Sequence, residues 1–227
     1  MKLKIGLDFD NTLICYGSLF HDCAVGGNLL RAPLPAKDRD SVREHIRAAV
    51  DGENKWQQIQ AWVYGDEIDK AEMCAGVGEF LLLCRQKKIP VVIISHKTRF
   101  AAKKREQGGS DADLHQAAMR WMKNHYFFGE QGLGVAEKHV FFEATRQQKA
   151  DRIAEQGCTH FIDDLPEMFV ESTFPGGIIK MLYSATLRRA EGVDHHFCSW
   201  TDISRFFRDL IGGAARSAER LHVDDYC

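Results

Sequence analysis

Continuous apolar runs alternate along this chain with stretches whose apolar residues recur at helical spacing. Ile5–Phe9, Ile89–Ser95 and His160–Asp164 each read as a strand buried on both faces. Val140–Glu143 and Ile178–Leu182 are weaker strands of the same kind. Between them lie helical patterns. Ser110 to Asp113 has the form of a capping box. Leu114, Ala117, Ala118, Trp121 and Met122 then follow on one face. Thr145 to Gln148 is a second capping box, and its helix runs through Ile153 to a stop at Gly157. Strands separated by helices predict an α/β fold, a Rossmann-like parallel sheet flanked by helices.

The segment from Ile14 to about Arg85 is too long for a loop in a compact domain. It carries helical signals of its own. One helix is expected from Ser41, with Val42, Ile46, Ala49 and Val50 on a face. A second is marked by Trp56, Ile59 and Val63, and a third pattern begins near Asp66. The expected organisation is a core of residues 1–14 and 86–212, a small inserted helical cap at 15–85, and a frayed tail at 213–227. Lys103–Asp111 reads as a polar loop.

Each strong strand ends in polar residues: Asp8 and Asp10, Ser95, and Asp163 with Asp164. In a parallel sheet these ends share one rim, where ligands bind. Several carboxylates on one rim repel one another unless a cation sits among them. Mg²⁺ suits such a site, being hard and held by carboxylates, waters and substrate oxygens. Lys149, one turn into the helix capped by Thr145, would face a ligand's negative oxygens together with the Ser95 hydroxyl. Arg146 on the same helix is the rival for that role. An acid cage, a cation, a hydroxyl and a lysine describe phosphoryl transfer. A carboxylate at Asp8 can attack phosphorus, and one at Asp10 can move the protons.

"DFDNT" at Asp8–Thr12, a strand ending in Ser95, and Lys149 ahead of "FIDD" at Phe161–Asp164 resemble, in this order, the haloacid dehalogenase superfamily. The resemblance covers the sheet domain. It implies Asp8 as nucleophile, Asp10 as general acid and base, and Ser95, Lys149 and Thr12 as phosphate-binding, with Thr12 also supporting the loop. Asp163 and Asp164 would join Asp8 and Asp10 at Mg²⁺, and which of the adjacent pair touches the ion stays open. An acid at the position of Asp10 marks phosphatase-like branches and disfavours dehalogenation. The insertion's place resembles a helical cap of the first type, which admits small diffusible substrates. "FIDDLPE" is somewhat like the deoxyribonucleotidase branch, so a nucleoside monophosphate is one option. The reading is an Mg²⁺-dependent phosphomonoesterase acting on a small phosphorylated metabolite. A phosphomutase, or a binding or regulatory protein on the same scaffold, is the alternative.

Other polar positions carry weaker signals. His96, Lys97 and Arg146 are candidates for substrate contact, and Arg99 lies near them. Tyr16 and His21 stand where the chain leaves the first motif, and Trp56, Trp62 and Tyr64 are aromatic residues of the insertion. "DHHFC" at Asp194–Cys198 has metal-ligand residue types without zinc spacing.

Composition narrows the classes further. The chain has 227 residues, 44% hydrophobic and 27% charged, with a net charge of −2. Without a basic stripe it lacks a nucleic-acid footprint. No stretch approaches the roughly 18 apolar residues of a membrane span. The apolar start behind Lys2 and Lys4 is cut by Asp8 and Asp10, unlike a secretory leader. Seven scattered cysteines without a CxxC pair suggest reduced thiols and a cytoplasmic setting.

Overall fold

Strand β1 (Ile5–Leu7) lies between β4 (Val91–His96) and β6 (His160–Asp163), parallel to both, with Leu7 level with Ile93 on one side and Ile162 on the other. Outside β4 lies β5 (Val140–Glu143). Outside β6 lie β7 (Ile179–Tyr183) and β8 (His195–Phe197). The six parallel strands run in the order β5-β4-β1-β6-β7-β8. The chain therefore moves outward from β1 in one direction, then crosses back and moves outward in the other. That reversal beside β1 is the switch point at which open α/β sheets leave a crevice. The computed structural model describes residues 3–30, 34–129, 131–184 and 190–223, with side chains up to residue 213.

Both faces of the sheet are buried, which is why its strands are runs rather than alternations. Ile5, Leu7, Ile93, Ile162 and Met181 pack on one face with helices α4 (Val77–Gln86), α5 (Leu114–Asn124) and α8 (Trp200–Val223). Val92, Ile94 and Phe161 pack on the other with Ala150 and Ile153 of α6 (Arg146–Glu155) and with Met168 and Phe169 of the short α7 (Pro166–Phe169). Gly6 lets the Phe161 ring lie across β1: a Cβ there would sit 2.5 Å from that ring.

Between β1 and β4 the chain forms α1 (Leu19–Gly26), α2 (Arg39–Arg47) and α3 (Gly52–Ala61). A π turn at Trp62–Asp66 and a 3-10 turn at Ile68–Lys70 complete the insertion. Phe20 stacks on Trp56 at 5.1 Å, over Val42, Ile46 and Ile59. Trp56 is thus core. The chain enters through β2 (Ile14–Cys15) and returns through β3 (Glu72–Met73), which pair antiparallel. Beyond β3, α4 packs on α8 through the contacts of Phe80 with Trp200 and Phe207.

Two helices begin elsewhere than the capping boxes suggest. Asp38, not Ser41, caps α2, and Asp113, not Ser110, caps α5; each aspartate accepts backbone N–H bonds from the first turn. The Ser110 hydroxyl instead takes the Ala112 N–H. The tail expected to fray after residue 212 continues as helix to Val223. Its alanines, arginines, glutamate and leucine are good helix formers. The last four residues lie outside the described ones.

The expectation of reduced thiols fails at one place. Cys15 and Cys74, 59 residues apart, form a disulfide where β2 and β3 bring their Cα atoms to 5.1 Å. Among the described residues Cys23, Cys84, Cys158 and Cys198 are free. The bridge withdraws the thiol argument for a cytoplasmic setting. No described helix is long and apolar enough to cross a membrane. Closing a loop of this length stabilises by about 4 kcal/mol in the chain-entropy account. Reduction with a phosphine is expected to lower the urea midpoint by a corresponding amount. An unchanged midpoint after two extra thiols become titratable would show that the bridge contributes nothing.

Candidate active site

The carboxyl ends of β1, β4 and β6 deliver Asp8, Ser95 and Asp163 to one crevice. Lys149 reaches it from α6, which Thr145 starts by accepting the Gln148 N–H at 3.1 Å. The Gln148 side chain reaches back past the cap and accepts the Ala144 N–H at 3.1 Å. Lys149 Nζ donates to Asp8 Oδ1 and to Asp163 Oδ2, both at 2.6 Å, and all three groups are buried. The second Asp163 oxygen accepts the Leu165 N–H at 2.9 Å. That bond turns the chain so that Asp164 faces the same crevice as Asp163. Strand alternation alone would have separated them.

Oxygens of Asp8, Asp163 and Asp164 all lie within 4.8 Å of one another, a set that could hold a metal ion. Burial lifts the Asp8 carboxyl to about 7, with Asp163 and Asp10 adding to the effect against the pull of Lys149. Asp164 is pushed well above the ordinary carboxyl range by burial, then by Asp163 and Asp8. Burial works against the Lys149 ammonium, yet Asp163 and Asp8 outweigh it and raise its pKa. One lysine against three carboxylates leaves a deficit of positive charge, which a divalent cation would fill.

Asp10 faces a different set of partners. Its oxygens accept Lys97 Nζ at 2.8 and 3.0 Å, and the Tyr16 hydroxyl donates to the same carboxylate. Burial and the Asp10 charge raise the Tyr16 pKa, so the phenol keeps its proton and remains a donor. Asn11 adopts a left-handed backbone (φ 55°), and the following turn closes on the Phe9 carbonyl. The Thr12 carbonyl accepts the Trp200 indole N–H at 3.0 Å, tying the turn to α8. The Ser95 and Thr12 hydroxyls are buried without a partner.

A cavity of about 320 Å³ opens over this arrangement. Asp8, Asp10, Ser95, Lys149 and Asp164 line its core side, and Arg39, Gln57, Gln60 and Tyr64 of the insertion face them. No protein-family model matches the chain, and no curated protein matches it in sequence. Solved structures do match in shape. A haloacid dehalogenase-like hydrolase from Streptococcus pneumoniae superposes with a TM-score of 0.58 at 14% identity, over 90% of this chain and 98% of its own. A predicted phosphoglycolate phosphatase from Haemophilus somnus gives 0.55 at 12%, over 91% and 98%. A β-phosphoglucomutase from a Pyrococcus strain gives 0.53 at 14%, over 93% and 99%. This chain has the haloacid dehalogenase fold.

On that fold the sequence-selected residues separate into two groups. Asp8, Asp10, Ser95, Lys149 and Asp164 meet at the cavity, with Asp163 buried behind them. Arg146 and Thr12 lie outside the cavity wall, and Asp10 reaches it without joining the metal group. The Asp10 carboxylate, expected at the metal, is not in the ion-holding group, because Lys97 and Tyr16 take it up. Arg146, expected at the substrate, is absent from the cavity lining and pairs with Glu171 at 3.2 Å. Thr12 is buried beside the loop rather than in the cavity wall.

Lys97 lines the cavity but is committed to Asp10, with its ammonium 4.6 Å from the Tyr64 ring centre. His96 is exposed at the rim, near the Ala144 carbonyl. Arg99 pairs with Asp113, and buried His21 faces the Leu34 N–H. His195 and Phe197 pack on Phe206, so "DHHFC" is strand rather than metal site. Trp62 lines a separate open crevice beside Cys15 and Lys70. Nothing in the sequence marks Arg39, Gln57 and Gln60, since polar residues on helices look like solvent-facing ones.

Proposed function

We propose that this chain is a metal-dependent phosphomonoester hydrolase with a helical cap formed by α1 to α3. The observation that carries the reading is the buried Asp8–Lys149–Asp163 cluster, set beside the unpartnered Ser95 hydroxyl and followed two residues later by Asp10. The donor set fits Mg²⁺: Asp8, Asp163 and Asp164 would hold it through carboxylate oxygens, with waters in the remaining positions. Bound there, the ion would neutralise the carboxylates and polarise a phosphoryl oxygen.

In this reading Asp8 attacks phosphorus, forming an aspartyl-phosphate as the ester P–O bond breaks. Lys149 and the Ser95 hydroxyl bind the equatorial oxygens, where charge spreads in the transition state. Asp10 protonates the leaving oxygen. It then takes a proton from the water that attacks the same phosphorus, and the Asp8–phosphate bond breaks to release phosphate. Lys97 and Tyr16 fix the Asp10 carboxylate at the cavity wall throughout.

The test is phosphate release from sugar phosphates, nucleoside monophosphates, small acid phosphates and an aryl phosphate, with Mg²⁺ and with EDTA. Release that falls at least about 10²-fold on chelation is expected. Release indifferent to EDTA would count against the metal. Conversion of a substrate to its phosphate isomer without phosphate release would make the chain a mutase. No release from any ester by folded protein would count against hydrolysis.

A further inference from the structure

The cavity has two walls of different chemistry. The core wall accounts for the phosphoryl step. The cap wall of Arg39, Gln57, Gln60 and Tyr64 has no part in it. Arg39 opens α2 immediately after its cap residue Asp38. Its Nε is buried with no hydrogen-bond partner. One terminal nitrogen lies 3.5 Å from Asp40, a largely exposed carboxylate, while Tyr64 and Asp164 also interact with the guanidinium. The other two cations of the cavity wall are spoken for: Lys149 by Asp8 and Asp163, and Lys97 by Asp10. Arg39 therefore keeps a buried N–H without an acceptor and, unlike the two lysines, is not held between carboxylates of the core wall. A buried donor left unpaired is costly, so an acceptor is expected from whatever enters.

Gln57 and Gln60 stand three apart on α3 and so share its cavity-facing side. Gln58 between them turns away to the Gln107 carbonyl, and Trp56 and Ile59 fill the core of the insertion. A guanidinium flanked by two primary amides matches a carboxylate, with hydroxyls as further partners. Size sets the rest. A volume of about 320 Å³ is roughly ten water volumes at ~30 Å³ each. Arg39 interacts with Asp164, whose carboxylate oxygen lies within 4.8 Å of one of Asp8, so a short acid spans the guanidinium and the phosphoryl site.

We propose that the Arg39–Gln57–Gln60 wall is a subsite for a second anion, so that the substrates are phosphate monoesters of short hydroxycarboxylic acids. The proposal rests on the phosphoryl-transfer reading above and narrows it. A second phosphate would bring a dianion towards Asp164 with one guanidinium to balance it, which is why the carboxylate is favoured.

The experiment compares kcat/KM for a phosphorylated three-carbon hydroxy acid, its carboxamide and the matching bisphosphate, with an aryl phosphate alongside. It uses wild type, Arg39→Met and Arg39→Lys. Wild type is expected to prefer the acid over the carboxamide by roughly 10- to 100-fold, the range of a charged hydrogen bond. That ratio should fall towards unity in Arg39→Met and lie between in Arg39→Lys. Because the readout is a ratio within one preparation, partial unfolding cancels. If Arg39→Met yields no soluble protein, Gln60→Leu is read the same way, with a several-fold fall expected. A wild-type ratio near unity, or one unchanged in the variants, overturns the subsite while aryl phosphate turnover leaves the hydrolase standing. A preference for the bisphosphate overturns the carboxylate assignment. Release from none of the esters, the aryl phosphate included, overturns the hydrolase reading and the subsite with it.

Discussion

Asp8→Asn is expected to bring phosphate release to background, a loss of at least about 10⁴-fold, in a protein that remains folded. The amide fills the same volume but has no anionic oxygen with which to attack phosphorus. Lys149 keeps its bond to Asp163, so the cluster retains a counter-ion. Stability should move the other way. In the metal-free protein, burial above all, then Asp163 and Asp10, lift the Asp8 carboxyl to about 7. The unfolded chain releases that proton near pH 4, whereas the folded chain holds it to about pH 7. The folded state therefore binds more protons across that window, and stability falls as pH rises through it. Asparagine does not titrate, so the variant loses this fall. In EDTA its melting temperature should exceed wild type's at pH 8, with the gap narrowing towards pH 5. Phosphate release by the variant within a hundredfold of wild type would end the role of Asp8 as nucleophile. A gap that widens towards pH 5 would mean that the Asp8 charge is not the destabilising element.

The parts of the site that sequence made legible are those fixed by one element at a time. A buried parallel strand must be apolar until it leaves the sheet, so the residues at which β1, β4 and β6 turn polar stand out as Asp8, Ser95 and Asp163. Lys149 is readable because Thr145 and Gln148 set the helix start, and the start sets which residue points back at the sheet. What sequence hides is pairing between elements. The partners of Asp10 come from the loop after β4 and from the entrance to the insertion. Nothing local marks Lys97 as a buried cation rather than a surface one. The bridge between Cys15 and Cys74 likewise depends on β2 meeting β3, two-residue strands too short to leave a pattern. Helix starts fail for a milder reason. Ser110 and Asp113, or Ser41 and Asp38, are caps of similar strength within one turn, so residue type alone does not choose between them.

Lys149→Met is expected to damage rate and stability together, and the two losses should respond differently to added metal. The ammonium is 2% exposed and bridges two buried carboxylates. Removing it leaves Asp8 and Asp163 buried, close and without their cation, a change that costs about 3–5 kcal/mol in comparable pairs. The carboxylates escape part of that penalty by taking up a proton, so the urea midpoint should drop more at pH 8 than at pH 5. Mg²⁺ supplies positive charge to the same carboxylates and is expected to restore part of the midpoint. It does not restore the donor that Lys149 offers to an equatorial phosphoryl oxygen, so the rate should stay down by roughly 10²–10³. Lys149→Arg tests the geometry, because a guanidinium is larger than the space between two oxygens each held at 2.6 Å. If Mg²⁺ returned both midpoint and rate to wild type, the lysine would be a structural counter-ion alone, and the phosphoryl oxygens would have to find their positive partner elsewhere in the cavity wall.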